Sequence, residues 1–272
     1  MKLTKSEIDL VNKERKRKKA ATLKKAGELY FVLPDLHRPF HSNVLWNKIL
    51  EAIKRLEPDG IVLSGDYMDL FTLGSYNADS LKNLQGINLE MEYADGRKGI
   101  QQLNKVMRPG ARKMYLYGNH EDRYFREIEK KDNAKYGDAL QNPTEALKLK
   151  ETGWEVLENW RDDFFTIGNL DIVHGLFFNK HVASKHLDTH GNNIMFGHCH
   201  RVQEYTMGQL SGYAIGWLGD KQSNYFKYMP RLTRKNWRNA FSVVRVVDGI
   251  SYPNIIKVNE KDDTFLLEGE LY

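Results

Sequence analysis

Gly-Asn-His-Glu-Asp, residues 118–122, follows the apolar run Met114-Tyr115-Leu116-Tyr117 and precedes a charged segment of helical pattern. A strand ending there delivers an amide oxygen and an imidazole side by side to one sheet edge. Four other short blocks share that placement just past an apolar run. They are Asp35-Leu36-His37, Gly65-Asp66-Tyr67-Met68-Asp69, His174-Gly175 and Gly197-His198-Cys199-His200. The chain must therefore bury several strands while gathering carboxylate, amide and imidazole groups near their ends. That mixed oxygen and nitrogen set suits a pair of divalent transition metals.

In order, the blocks read D-x-H, G-D-x-x-D, G-N-H-E, H and G-H-x-H across residues 35–200. In this they resemble the calcineurin-like metallophosphoesterase superfamily. The resemblance implies that Asp35, His37 and His200 hold one metal and that Asn119, His174 and His198 hold a second. Asp66 would bridge the two, its shared carboxylate offsetting part of the repulsion between neighbouring cations. Manganese is the expected metal, with iron, zinc, nickel and cobalt also suited to such ligands. A hydroxide bridging both ions, its pKa lowered toward neutrality, would be the nucleophile. His120 matches the family's histidine that serves the leaving oxygen. Asp69 matches the carboxylate that orients that histidine in some members.

Taken singly, an Asp-x-His is usually a surface turn and a His-x-His a strand end. The ordered co-occurrence of five blocks favours metal binding instead. Glu121 and Asp122 are expected to favour a helix start through its dipole. His41, His181, His186 and His190 match no block and read as structural or surface groups, with His181 and His186 close enough in sequence to support His174. Cys199, between two ligands, should point the opposite way into packing.

The fold class expected is α/β (α+β), with two mixed β-sheets packed as a sandwich flanked by helices. Leu29–Leu33 and Ile61–Leu63 read as buried strands joined by a helix over 44–56, with ligands at the strand ends. Helices are expected over 88–107 and 121–131, another from Pro143, and a loop over 70–86. From about residue 154 short strands take over, at 154–157, 163–167, 170–174, 193–196, 201–207, 212–217, 241–247, 254–258 and 264–268. Gly168-Asn169 reads as a hairpin turn. Residues 28–272 form the expected catalytic domain, preceded by a basic helical segment over 1–27 that Thr4-Lys5-Ser6-Glu7 opens as a capping box.

Ten Lys or Arg against three acidic residues give residues 1–25 a charge of +7, so the other 247 residues carry −2 of the chain's +5. The basic character is terminal, and residues 13–25 read either as a solvated helical tail or as an arm for DNA or RNA. No apolar stretch nears the roughly 20 residues of a membrane span. Cys199, the only cysteine, forms no intrachain disulfide, and the N-terminus has no apolar signal core, so a cytoplasmic chain is expected.

The blocks imply phosphate-ester hydrolysis without naming the leaving group. Protein phosphatases of the family follow the second block with Arg-Gly, whereas Asp69 is followed by Leu70-Phe71. Arg123 and Arg126 could compensate, or lie on a helix surface. Residues 221–238 interleave six basic residues with Tyr225, Phe226, Tyr228 and Trp237, a composition that suits phosphates and bases together. Tyr225, Lys227, Arg231, Arg234 and Trp237 are therefore candidate substrate contacts alongside Arg123. The competing reading is a hairpin with core aromatics. A phosphodiesterase or nuclease acting on nucleic acid or nucleotides is the leading expectation. A phosphomonoesterase is the alternative, and a non-catalytic binding module ranks last because every ligand position is filled.

Overall fold

The computed structural model describes residues 9, 12–14, 27–74, 86–130 and 140–272, with backbone alone for residues 227 and 228. Most of the expected basic segment over 1–27, and residues 75–85 of the expected loop, thus lie outside the described residues. Residues 9 and 12–14 are helical.

The first sheet is built on the apolar runs. Strands β1 (Glu28–Leu33), β2 (Gly60–Ser64), β3 (Arg112–Leu116) and β4 (Glu155–Leu157) lie parallel in that order. Beyond β1, β10 (Ala240–Val247) and β11 (Ile250–Lys257) add antiparallel strands. The second sheet runs β5 (Phe165–Ile167), β6 (Leu170–Ile172), β7 (Ile194–Phe196), β9 (Leu210–Ile215), β8 (Val202–Met207). A small hairpin of β12 (Leu266–Leu267) and β13 (Glu270–Leu271) follows at the C-terminal end.

Continuous apolar strands are needed because β1 and β2 are buried on both faces. Tyr30, Val32, Val62, Met114 and Leu116 meet Phe165, Ile167, Ile172, Met195 and Ile215 between the sheets. Alternate residues Leu29, Phe31, Leu33, Ile61 and Leu63 face the helices instead. Two helices cover that outer face, α1 (Asn43–Leu56) and α2 (Leu89–Val106). Each opens on a side chain that takes a first-turn amide: Ser42 Oγ from Leu45, and Asn88 Oδ1 from Met91. α1 buries Leu45, Ile49, Ala52 and Ile53, the stripe its sequence spacing predicts. This is the expected two-sheet sandwich flanked by helices.

Three differences stand out. The helix after Gly-Asn-His-Glu-Asp, α3 (Arg123–Ile128), is shorter than the 121–131 expected, because Glu121 is used elsewhere. α4 (Pro143–Ala146), a single turn, is the short helix expected from Pro143. A helix absent from the sequence reading, α5 (Val182–His190), packs Val182, Ala183 and Leu187 on β7 and β9. Its short apolar stripe is hidden among Lys and His. Residues 221–238 form no hairpin: they hold a 3₁₀ turn (Asn224–Tyr228) and the short α6 (Arg231–Arg234). Among the described residues, no helix is long and apolar enough to cross a membrane.

Candidate metal centre

All five blocks converge at the ends of β1, β2, β3, β6 and β7. Adjacent loops are tied by backbone bonds, Asp35 N to Gly65 O (3.2 Å) and His37 N to Asp66 O (2.9 Å). Asp35 then receives the His198 amide on both carboxylate oxygens at 2.9 Å, joining the two sheets. The glycines of the blocks let these loops touch. A Cβ on Gly118 would collide with the Asp66 carboxylate, and one on Gly197 with that of Asp35.

Asp35, His37, Asp66, His198 and His200 all have positive φ, between 42° and 60°. That conformation costs an L-residue about 1–2 kcal/mol. Strain concentrated at five donor positions is the pattern of a site over-determined by its surroundings.

Three donor groups result among the described residues. Asp35, His37 and His200 bring ligand atoms within 4.8 Å of one another, as do Asp66, His174 and His198, and a third set, His37, Asp66 and His120, lies across these two. His37 Nε2 lies 3.0 Å from His200 Nε2, and His200 Nε2 lies 3.4 Å from Asp35 Oδ1. In the second group His174 Nε2 is 3.0 Å from Asn119 Oδ1, 3.2 Å from His198 Nδ1 and 3.4 Å from Asp66 Oδ2. Asp66 Oδ2 stands between them, 3.9 Å from His37 Nε2. The resemblance implies the first two of these sets, with Asn119 added to the second and Asp66 serving both.

The donor set fits divalent cations. Donors about 3 Å apart match the edge of a coordination polyhedron with bonds of about 2.1 Å. The far nitrogens of two rings are held outside: His37 Nδ1 donates to Asp69 Oδ2 (3.0 Å) and His174 Nδ1 to the Ser64 carbonyl (3.1 Å). Each therefore turns Nε2 inward, the nitrogen a ligating histidine presents to a metal once it carries no proton. Burial, reinforced for His198 by His174, pushes His198 and His200 down to about 3, and it lowers His37 as well, so these rings are neutral. Burial pushes Asp66 upward, but the His120 and His174 charges outweigh it and hold the carboxylate well below its usual range. Burial lowers His174 too, yet the Asp66 charge overrides it and carries the ring up to about 9.

His120 sits beside this set. Its amide donates to Asp66 Oδ1 (2.9 Å) and its Nδ1–H to the Asp69 carbonyl (2.8 Å). Arg123 Nη2 donates to His120 Nε2 (3.1 Å) while Arg123 Nη1 donates to the Asp69 carbonyl (2.9 Å) and to Asp69 Oδ1 (3.3 Å). Asp69 is fully buried; the opposing pull of burial is overcome by His120 and by hydrogen bonds from His120 and His37, which hold it ionised.

The 221–238 stretch requires a correction. Tyr225 and Trp237 are 5% and 7% exposed, so neither is open for a base to stack on. Both belong to an aromatic cluster with Phe40, Phe71, Trp217 and Phe226. Trp217 stacks on His200 at 4.8 Å and Trp237 meets the same ring edge-on at 4.6 Å. The aromatics of the stretch thus wall in a candidate ligand histidine. Arg234 is half-buried with Nε on the Met229 carbonyl (3.1 Å), Arg231 is exposed, and the Lys227 side chain lies outside the described residues.

Glu121 is the residue whose role the sequence concealed. Instead of opening a helix it is buried, accepting from Asp66 N (3.1 Å), Met68 N (2.8 Å), Gly118 N (2.9 Å) and Tyr115 Oη (2.9 Å). It clamps the loops after β2 and β3 together; the only sequence signal is its place directly after Gly-Asn-His. His186 supports the segment after His174, accepting the amides of Leu176 (2.9 Å) and Phe177 (3.4 Å). His190 pairs with Asp171 at 2.8 Å, His181 is exposed, and His41 is buried. Cys199 is buried against Val182 and Phe196, where burial lifts its thiol to about 12.

A profile of calcineurin-like phosphoesterases matches residues 30–228. Among solved structures, the chain is similar to Vps29 of Chaetomium thermophilum, at 10% identity, over 86% of this chain and 93% of that one, with a TM-score of 0.47. It is similar also to Vps29 of Entamoeba histolytica complexed with Zn²⁺, at 12% identity over 90% and 96%, TM-score 0.46. A third is Yfce, a phosphoesterase from E. coli, at 12% identity over 88% and 97%, TM-score 0.41. A search of curated proteins found no match.

Proposed function

This chain belongs to the calcineurin-like phosphoesterase family, and from that premise we propose that it hydrolyses phosphodiesters of nucleic acid or nucleotides with two divalent cations, manganese foremost. Asp35, His37 and His200 would hold one cation, Asn119, His174 and His198 the other, with Asp66 shared. When bound, such cations supply Lewis-acid activation of water and neutralise charge on phosphate oxygens. The residues do the rest. Asp69 fixes the rings of His37 and His120, and Glu121 fixes the backbone from which Asp66 projects.

His120 Nε2, 3.8 Å from Asp66 Oδ2, is the ring atom on the site side. It would hold a proton for the leaving oxygen. Burial and Arg123 oppose the charged ring, but Asp66 and Asp69 outweigh them and raise its pKa. A substrate oxygen arriving at Nε2 displaces the Arg123 Nη2 contact, while Nη1 stays on Asp69.

The observation that favours a diester is the commitment of the nearby guanidinium groups. Arg123 is turned onto Asp69 and His120, and Arg126 Nη2 onto the Asn119 carbonyl at 2.6 Å. Position 70, where the phosphatases of the family carry a phosphate-gripping arginine, is a buried leucine. A monoester dianion calls for an extra cation facing the phosphate, whereas a diester monoanion does not. The test is turnover of bis-p-nitrophenyl phosphate against p-nitrophenyl phosphate by metal-stripped protein with Mn²⁺ restored. Preference for the diester supports the reading; hydrolysis of the monoester alone would retire it.

A further inference from the structure

Among the described residues, the donor set meets solvent at two of its members. Asp35, His37, Asp66, His174 and His200 are buried, while Asn119 and His198 are half-exposed. Two aromatic rings stand at that opening. Phe178 is 72% exposed with its ring centroid 6.2 Å from that of His198. Trp160 lies 6.2 Å from His198 at an interplanar angle of 33° and meets His174 edge-on at 5.8 Å.

The exposure of Phe178 is not a frayed end. The His186 imidazole takes the amides of Leu176 and Phe177, Arg201 Nη1 donates to the Asn179 carbonyl (3.1 Å), and Gln203 Nε2 to that of Lys180 (3.0 Å). Backbone is thus fixed on both sides of a ring that is held out beside a ligand histidine. Single exposed apolar residues are ordinary, but this one is braced and sits at the mouth of a polar site. Beside the second ring, the Arg161 guanidinium lies 5.1 Å over Trp160. Flat π faces next to a phosphate-binding centre match a base carried on its phosphodiester.

We infer that Phe178 and Trp160 form a stacking platform for a nucleobase carried by the phosphodiester at the metal centre. This rests on the diester reading above and narrows its substrates to nucleotide-bearing diesters. Phe178 is the residue to vary, since its exposure makes replacement compatible with folding.

The experiment compares Mn²⁺-loaded wild type, Phe178→Ala and Phe178→Tyr on two substrates. One is thymidylyl-thymidine; the other is the same linkage between two abasic tetrahydrofuran sugars. Wild type is expected to prefer the dinucleotide. Phe178→Ala should raise KM for the dinucleotide about tenfold, leave the abasic substrate unchanged, and be restored by Phe178→Tyr. Equal wild-type turnover of both substrates, or an equal loss on both in Phe178→Ala, would overturn the platform while leaving the diesterase standing. Wild type that cleaves neither diester but cleaves a monoester would fail the diester reading, and the platform with it.

Discussion

Tyr225 Oη donates to Asp69 Oδ1 at 2.6 Å across 156 residues of chain. The other oxygen of Asp69 takes His37 Nδ1–H, so one carboxylate joins the aromatic cluster to a candidate ligand. The Tyr225 ring itself is stacked on Phe40 at 3.8 Å. Tyr225→Phe should therefore keep the packing and lose one bond to a charged acceptor, worth about 1.5–3 kcal/mol. Urea unfolding of metal-stripped protein should show that loss. In the loaded enzyme kcat should fall while KM holds, because Tyr225 positions Asp69 and does not face substrate.

Glu121 offers a sharper structural test. Removing its carboxylate strands three backbone amides and the Tyr115 hydroxyl in a buried place. Each unsatisfied group costs about 1–3 kcal/mol, so Glu121→Ala should lose more than about 3 kcal/mol. Glu121→Gln, which keeps one oxygen acceptor, should lose less. Equal unfolding midpoints for the two variants would show that hydrogen bonding is not what Glu121 supplies.

Glu92 governs a pH dependence. Its buried carboxylate accepts from Phe71 N (2.7 Å), Thr72 N (3.1 Å) and Thr72 Oγ1 (2.7 Å). Burial, followed by the Asp69 charge, pushes it up to about 7 from an ordinary 4.5. A raised carboxyl pKa means that the unfolded chain gives up its proton first. The contribution is full below pH 4.5 and is lost as pH rises through 7. The stability of Glu92→Gln relative to wild type should accordingly climb between those values, by up to about 3 kcal/mol, then level off. Thermal melts of metal-stripped protein from pH 4 to 8 measure it; a flat difference would remove Glu92 from the account.

Asp66→Asn weakens the shared carboxylate without changing its shape. It should lower the number of cations retained per chain and abolish turnover, with the stripped protein less stable, since His120 and His174 lose the charge they face, but still folded by far-UV circular dichroism. Metal analysis after desalting, run beside the rate assay, separates loss of cation from loss of fold.

Much of this arrangement is legible in the chain. Apolar runs located β1, β2 and β3, the blocks after them supply Asp35, His37, Asp66 and Asn119, and the blocks after β6 and β7 supply His174, His198 and His200. What escaped has a physical cause. Composition cannot tell a base-stacking aromatic from a core one, so Tyr225 and Trp237 fit either reading until their burial with Phe40 and Trp217 decides it. Phe178 and Trp160 belong to no motif, and only the placement of His198 gives them meaning. Glu121 reads as a helix-start acid because its amide partners, on Asp66 and Met68, lie more than fifty residues away. The stripe of α5 was too short, and too broken by Lys185 and His186, to stand out from the strands around it.

The most direct measurement is a titration of metal-stripped protein with Mn²⁺, following hydrolysis of bis-p-nitrophenyl phosphate at each addition. Two cations sharing Asp66 predict no turnover without metal and full activity only once a second equivalent is bound. Activity that survives chelation, or that is complete with one equivalent, would contradict the two-cation site.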